Sequence, residues 1–113
     1  MNDLLVERIL VAVEQVPRGR VVSYGDIAEL VGTGPRQVGS VLAQWGGDVT
    51  WWRVTNAAGE LPAQLRAEAA RRWAAEGIEV KPNGRGCRIA AYRVDLPAWA
   101  TAYEQATRHL PSG

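Results

Sequence analysis

The sequence predicts one mainly helical domain with a small β element, and three observations lead there. At 113 residues, 47% apolar and 22% charged, the chain has material for a single core. Apolar residues recur at helical spacing through successive stretches. Between them lie only short β-branched and aromatic runs, bounded by Gly and Pro.

Along Asp3 to Gln15, Leu5, Ile9, Val13 and Val16 fall on one stripe with Glu7, Arg8 and Glu14 off it, which predicts an amphipathic helix. Pro17-Arg18-Gly19 is a tight turn, and Arg20-Val21-Val22 is extended. Ser23 stands at an N-cap with Asp26 three residues on, a box-like pattern that opens a helix over Tyr24 to Val31. After Gly32-Thr33-Gly34, Pro35 has the fixed φ that suits the first position of a third helix. There Val38, Val41, Leu42 and Trp45 make the predicted buried face, while Arg36, Gln37, Ser40 and Gln44 make a hydrogen-bonding one. Gly39 sits mid-helix at a cost of about 1 kcal/mol relative to alanine, from close approach of a ligand or of a neighbouring helix.

Trp51 to Thr55 has the composition of a strand or tight extended segment, and Asn56 to Pro62 that of a loop. Ala63 to Gly77 reads as a helix closed by a left-handed glycine. Ile78 to Val80, a turn at Pro82-Asn83-Gly84 and a return over Cys87 to Val94 read as a β-hairpin, before a last helix from Pro97 carrying Trp99, Ala102, Tyr103 and Ala106. Trp45, Trp52, Trp73 and Trp99 are expected in structural roles. A helix, two helices joined by a short glycine turn, and a β element give a winged helix-turn-helix pattern. Spacing alone leaves DNA binding and an ordinary helical pair both open.

The thirteen basic residues, twelve of them arginine, meet twelve acids for a formal charge of +1, which argues against disorder and against a wholly basic binder. The balance is uneven: residues 1–60 hold five bases and seven acids (−2), and residues 61–113 hold eight bases and five acids (+3). One cysteine, Cys87, and one histidine, His109, leave no disulfide framework and no Cys/His zinc cluster, so neither metal nor cofactor is expected. The first apolar stretch is broken by Glu7, Arg8, Glu14 and Gln15, which fits neither a signal peptide nor a membrane span, and a cytoplasmic monomer is expected.

From Val16-Pro17-Arg18-Gly19-Arg20-Val21-Val22-Ser23-Tyr24-Gly25-Asp26-Ile27-Ala28, through Arg36-Gln37-Val38-Gly39, Arg53-Val54 and Gly59 to Glu76-Gly77, the chain resembles the DNA-binding domain of the O6-alkylguanine-DNA alkyltransferases. The likeness covers about residues 3–80 of a single domain spanning 1–113, and residues 81–113 read as a strand and C-terminal helix appended to it. It implies the winged helix-turn-helix of the alkyltransferase C-terminal domain. The chain departs from the family at the reactive site. Where the alkyltransferases carry Pro-Cys-His-Arg, this sequence has Thr50-Trp51-Trp52-Arg53. That removes both the nucleophile and the imidazole that would activate it, and leaves Glu76, which matches the third charge-relay member, with nothing to orient.

Tryptophan in place of the nucleophile is the mark of the alkyltransferase-like proteins. The resemblance therefore implies a non-enzymatic protein that binds O6-alkylguanine in double-stranded DNA by nucleotide flipping and passes the lesion to nucleotide excision repair proteins. It implies minor-groove docking, with Tyr24 crowding the phosphate beside the target, Arg36 entering the stack, and Gln37, Gly39 and Ser40 along the DNA-facing helix. Trp51, Arg53 and Arg66 are the candidates for the lesion pocket, and Arg66, Arg71, Arg72, Arg85 and Arg88 for phosphate contacts. On the residues alone, Tyr24 reads first as a core aromatic at a helix start and Arg36 as a solvated first-turn arginine, and Arg53 is as readily the partner in a structural ion pair, with a helix end, as a DNA contact. Two other readings are a sequence-specific transcriptional regulator and a residual enzyme using Cys87, whose flanking Arg85 and Arg88 would lower its pKa.

Overall fold

A computed structural model describes residues 3–111. It is mainly helical: α1 (Asp3–Glu14), α2 (Tyr24–Val31), α3 (Pro35–Trp45), α4 (Arg66–Glu76), a single turn α5 (Ile89–Tyr92) and α6 (Leu96–Ala106). The β element is a pair of two-residue strands, β1 (Val22–Ser23) and β2 (Val54–Thr55), running parallel with Val22 opposite Val54 and Ser23 opposite Thr55.

Local chemistry explains the helix boundaries. The Ser23 hydroxyl accepts the Asp26 amide at 3.0 Å, and the Asp26 carboxylate accepts the Ser23 amide at 2.9 Å, so two otherwise orphaned donors at the start of α2 are satisfied together. Gly32 ends α2 at φ 89°, a conformation in which a side chain would be strained, and Pro35 opens α3. The stripe read on α1 is real: Ile9, Val13 and Val16 are fully enclosed against Ile27, Ala28, Val38 and Val41. α6 closes the far side of α1, where the Trp99 indole N–H donates to the Ala12 carbonyl at 2.9 Å.

A second, smaller core of Val21, Leu61, Ala69, Trp73, Ile78 and Cys87 lies beneath α4. Here the structure departs from the expected hairpin. Val80 and Cys87 form one isolated bridge, and the return segment instead pairs with the 59–61 loop: the Leu61 amide donates to the Arg85 carbonyl and the Cys87 amide to the Gly59 carbonyl. Backbone closeness fixes that choice. A Cβ on Gly86 would lie 2.0 Å from the Gly59 carbonyl oxygen, so two glycines let the strands of chain touch. Beyond it, Val21 bonds to Tyr92 and Val94 on either side of Arg93, and Ile89–Tyr92 coils into α5. The last third is thereby stitched into the first.

Two further expectations change. Trp51–Arg53 is a 3₁₀ turn preceding β2, not a strand, because its backbone closes from the Arg53 amide onto the Thr50 carbonyl. Trp45 continues the periodic stripe of Val38 and Val41 past the end of the core and is 49% exposed. Among the described residues no helix is long and apolar enough to cross a membrane.

Candidate nucleic-acid interface

The N-terminus of α2, the middle of α3, the Trp51 turn and the segment leading into α4 converge on a cavity of about 280 Å³. Tyr24, Gly39 and Trp51 all line it, together with Leu42, the Gly46-Gly47 backbone, and Leu61, Pro62, Gln64 and Leu65 from the opposite wall. Three residues nominated separately in the sequence thus meet in one place. Burial raises the Tyr24 pKa, so the ring stays a neutral phenol. The Trp51 indole is braced edge-on by Trp52, with ring centroids 5.8 Å apart at 86°.

Gly39 decides between its two explanations. A Cβ there would meet nothing within 4 Å, so packing of another helix is not what keeps the position small. It borders open space on the cavity side of α3. Arg36 and Ser40, four residues apart, lie on the same exposed face, with Gln37 beside them. The Thr33 hydroxyl donates to the Gln37 side chain at 3.4 Å.

Glu76 has a role the sequence did not suggest. Its carboxylate is 4% exposed and accepts the Gly19 amide at 2.9 Å, the Trp52 indole N–H at 2.8 Å and the Arg53 guanidinium at 2.8 to 3.2 Å. Burial by itself would raise its pKa, but the hydrogen bonds from Arg53, Gly19 and Trp52 outweigh it and hold the carboxyl below the ordinary range. Far from having nothing to orient, Glu76 clamps the Trp51 turn to the α1–β1 junction. Arg53 completes the clamp by donating to the Val16 carbonyl at 3.0 Å.

That clamp is the structural ion pair open to Arg53 from its sequence, made with the last residue of α4, and Arg53 is not among the residues lining the cavity. Arg66 likewise does not line the cavity; its Nε donates to the Leu61 carbonyl at 2.8 Å and fixes the loop entering α4. Gln64 was missed. Its place on the wall depends on that loop folding back, and no local pattern marks it. Of the suggested phosphate partners, Arg71 and Arg72 both pair with Glu68, and Arg72 also stacks 4.6 Å over Trp52, while Arg85 and Arg88 are exposed.

Cys87 is completely enclosed, and burial raises its pKa although the Lys81 charge acts to lower it, so the lowering expected from Arg85 and Arg88 is not what the thiol experiences. An aromatic disulfide reagent added to the native protein should therefore label it only at the rate of unfolding, and at once in denaturant. Fast labelling of the folded chain would contradict the buried thiol. Among the described residues no group of three or more His, Cys, Asp or Glu is placed to hold a metal ion.

A helix-turn-helix whose second helix presents an exposed polar face beside an aromatic-floored cavity defines a DNA-binding domain. The family model for the DNA-binding domain of 6-O-methylguanine DNA methyltransferase matches residues 5–79, and the chain belongs to that family. It is 34% identical over 91 residues to the DNA base-flipping protein of Vibrio parahaemolyticus, covering 75% of this chain and 90% of that one. It is 35% identical over 90 residues to the DNA base-flipping protein of Escherichia coli K12, covering 74% and 70%. Its fold is similar to that of S. pombe Atl1, crystallised with damaged DNA containing O6-carboxymethylguanine, with a TM-score of 0.74 at 26% identity over 84% of this chain and 98% of that one.

Proposed function

We propose that this protein recognises O6-alkylguanine in duplex DNA without chemistry, holding the extruded nucleotide in the cavity between Tyr24, Gly39 and Trp51. The carrying observation is that cavity itself: it is floored by an indole, and the chain's one thiol does not line it, being fully enclosed in the small core behind Trp51 and Leu61. A base-edge lesion is hidden in the stack, so its inspection requires extrusion. In this reading α3 lies in the minor groove, Tyr24 rotates the neighbouring phosphate, and Arg36 takes the vacated place in the stack, where a planar guanidinium both stacks and hydrogen-bonds. Gln37, Gly39 and Ser40 run along the backbone. Trp51 offers a flat face to the purine and reads no O6 substituent by hydrogen bonding, so different alkyl groups are tolerated. The whole chain acts as one monomeric cytoplasmic domain, shields the lesion from alkyltransferases and passes it to nucleotide excision repair proteins.

Competition at a stated salt concentration between duplexes with O6-methylguanine and with guanine at one position tests this, because phosphate contacts make every affinity salt-dependent. The damaged duplex should compete at least about tenfold better, a difference of roughly 1.4 kcal/mol. Equal competition overturns the reading, and preference for one undamaged sequence would point to a transcriptional regulator.

Gly39 supplies a second check. Alanine there meets open space in the free protein and should raise stability by up to about 1 kcal/mol in a urea titration. The same methyl would intrude on the groove and weaken binding of the damaged duplex. A variant both more stable and equally tight would remove Gly39 from the interface.

A further inference from the structure

We propose that the groove between α1 and the C-terminal end of α3 docks a basic amphipathic helix of a partner protein. The groove has a volume of about 420 Å³. Its apolar surface comes from Trp45 with Val6, Leu10 and Val11, and its charged residues are Asp3, Glu7 and Glu14. Trp45 is 49% exposed, in a protein whose other helix-borne tryptophans, Trp73 and Trp99, are buried. An exposed tryptophan set among aliphatic side chains is the residue type that most often anchors protein interfaces.

Charge selects the occupant. Every ionisable residue lining the groove is an acid, although the chain as a whole carries +1. Asp3, Glu7, Leu10 and Glu14 recur at intervals of four, three and four, which puts carboxylates and apolar side chain on one face of α1. Among the described residues none of the three carboxylates is in an ion pair. A nucleic acid is repelled from such a surface, and a second copy using the same face would set acids against acids. A partner helix with an apolar stripe flanked by Lys and Arg satisfies both parts: its stripe covers Trp45 and Leu10, and its cations reach Glu7 and Glu14. α1 spans about 18 Å, room for some three turns of such a helix.

The groove also leaves the DNA-facing side free. Trp45 follows Arg36 by nine residues, roughly half a revolution around α3 after whole turns are removed. Docking here is therefore independent of the lesion reading, and both surfaces can be occupied together.

Fluorescence anisotropy of two labelled model peptides of about 18 residues, sharing one leucine stripe but with lysines or glutamates on the polar face, tests the proposal on the full chain. The lysine peptide should bind at least about tenfold more tightly than the glutamate peptide. Trp45→Ala and the double variant Glu7→Gln/Glu14→Gln should each weaken it by about fivefold or more, with Glu79→Gln, outside the groove, unchanged. The glutamine pair changes only exposed side chains, so it keeps the test valid if Trp45→Ala unfolds. Equal binding of the two peptides, or binding indifferent to both groove variants, overturns the proposal. So does a concentration-dependent dimer in light scattering that Trp45→Ala abolishes, which would assign the groove to self-association.

Discussion

Glu76→Gln should cost the fold about 3 to 5 kcal/mol at neutral pH, because it strips the charge from a carboxylate that is 4% exposed and leaves the Arg53 guanidinium, 14% exposed, without its counter-ion. Against a typical stability of about 5 to 15 kcal/mol, urea unfolding will show this as a large displacement of the midpoint. The pH dependence gives an independent check. The folded-state pKa of Glu76 is depressed, so its stabilisation is complete above the ordinary glutamate value of about 4.3 and is lost as the pH falls through the lower folded value. The gap between wild type and variant should stay level from pH 6 to 8 and close in the acid range. A gap of under about 1 kcal/mol at neutral pH, the value of an exposed ion pair, would show that the clamp does not hold the turn.

Trp51→Ala should lower the stability of the fold, because its half-buried ring packs on the second core, and in the folded protein should reduce the preference for damaged over undamaged duplex by about 1 to 3 kcal/mol, or roughly fivefold to 150-fold. On the proposed reading the loss should fall on the damaged duplex alone, with plain DNA held through phosphate contacts and Trp51 facing only the extruded base. Parallel titrations of both duplexes separate the effects. If the two affinities fall together, Trp51 supports the shape of the interface and is not the platform. Trp51→Cys should still fail to accept an alkyl group, because the neighbouring indole of Trp52 offers no base to deprotonate a thiol. An added alkyl mass on that variant after incubation with damaged DNA would show the imidazole to be dispensable.

The helices were readable because the groups that start and stop them act within a few residues. The reciprocal Ser23–Asp26 bonds, Pro35 at the head of α3 and the left-handed Gly77 all lie within one turn of what they terminate. Elements whose partners are distant were not. The Pro82-Asn83-Gly84 turn forms, with Gly84 at φ 72°, yet the segment after it bonds to residues some 26 positions earlier, and nothing local announces that choice. Trp45 obeys its helix's periodicity, but periodicity does not say where the core stops. The cavity shows the same division. Tyr24, Gly39 and Trp51 belong to a pattern of residues in order, whereas the commitment of Arg53 to Glu76 depends on a contact across 23 positions. The identity of the residue at position 76 was informative; its work was visible only with Gly19, Trp52 and Arg53 around it.

The Glu76 clamp also bears on which molecule must deform when a lesion is found. The turn carrying Trp51 is tied to the end of α1, to Gly19 and to β1 through Val22 and Val54, so its platform exists before DNA arrives. On the proposed reading, distortion then falls on the duplex, and a base pair is captured in proportion to how readily it opens. A weakened pair would advertise itself through its own breathing, and the protein would act as a rigid trap that samples many sites briefly and is held at those few where opening is already half accomplished.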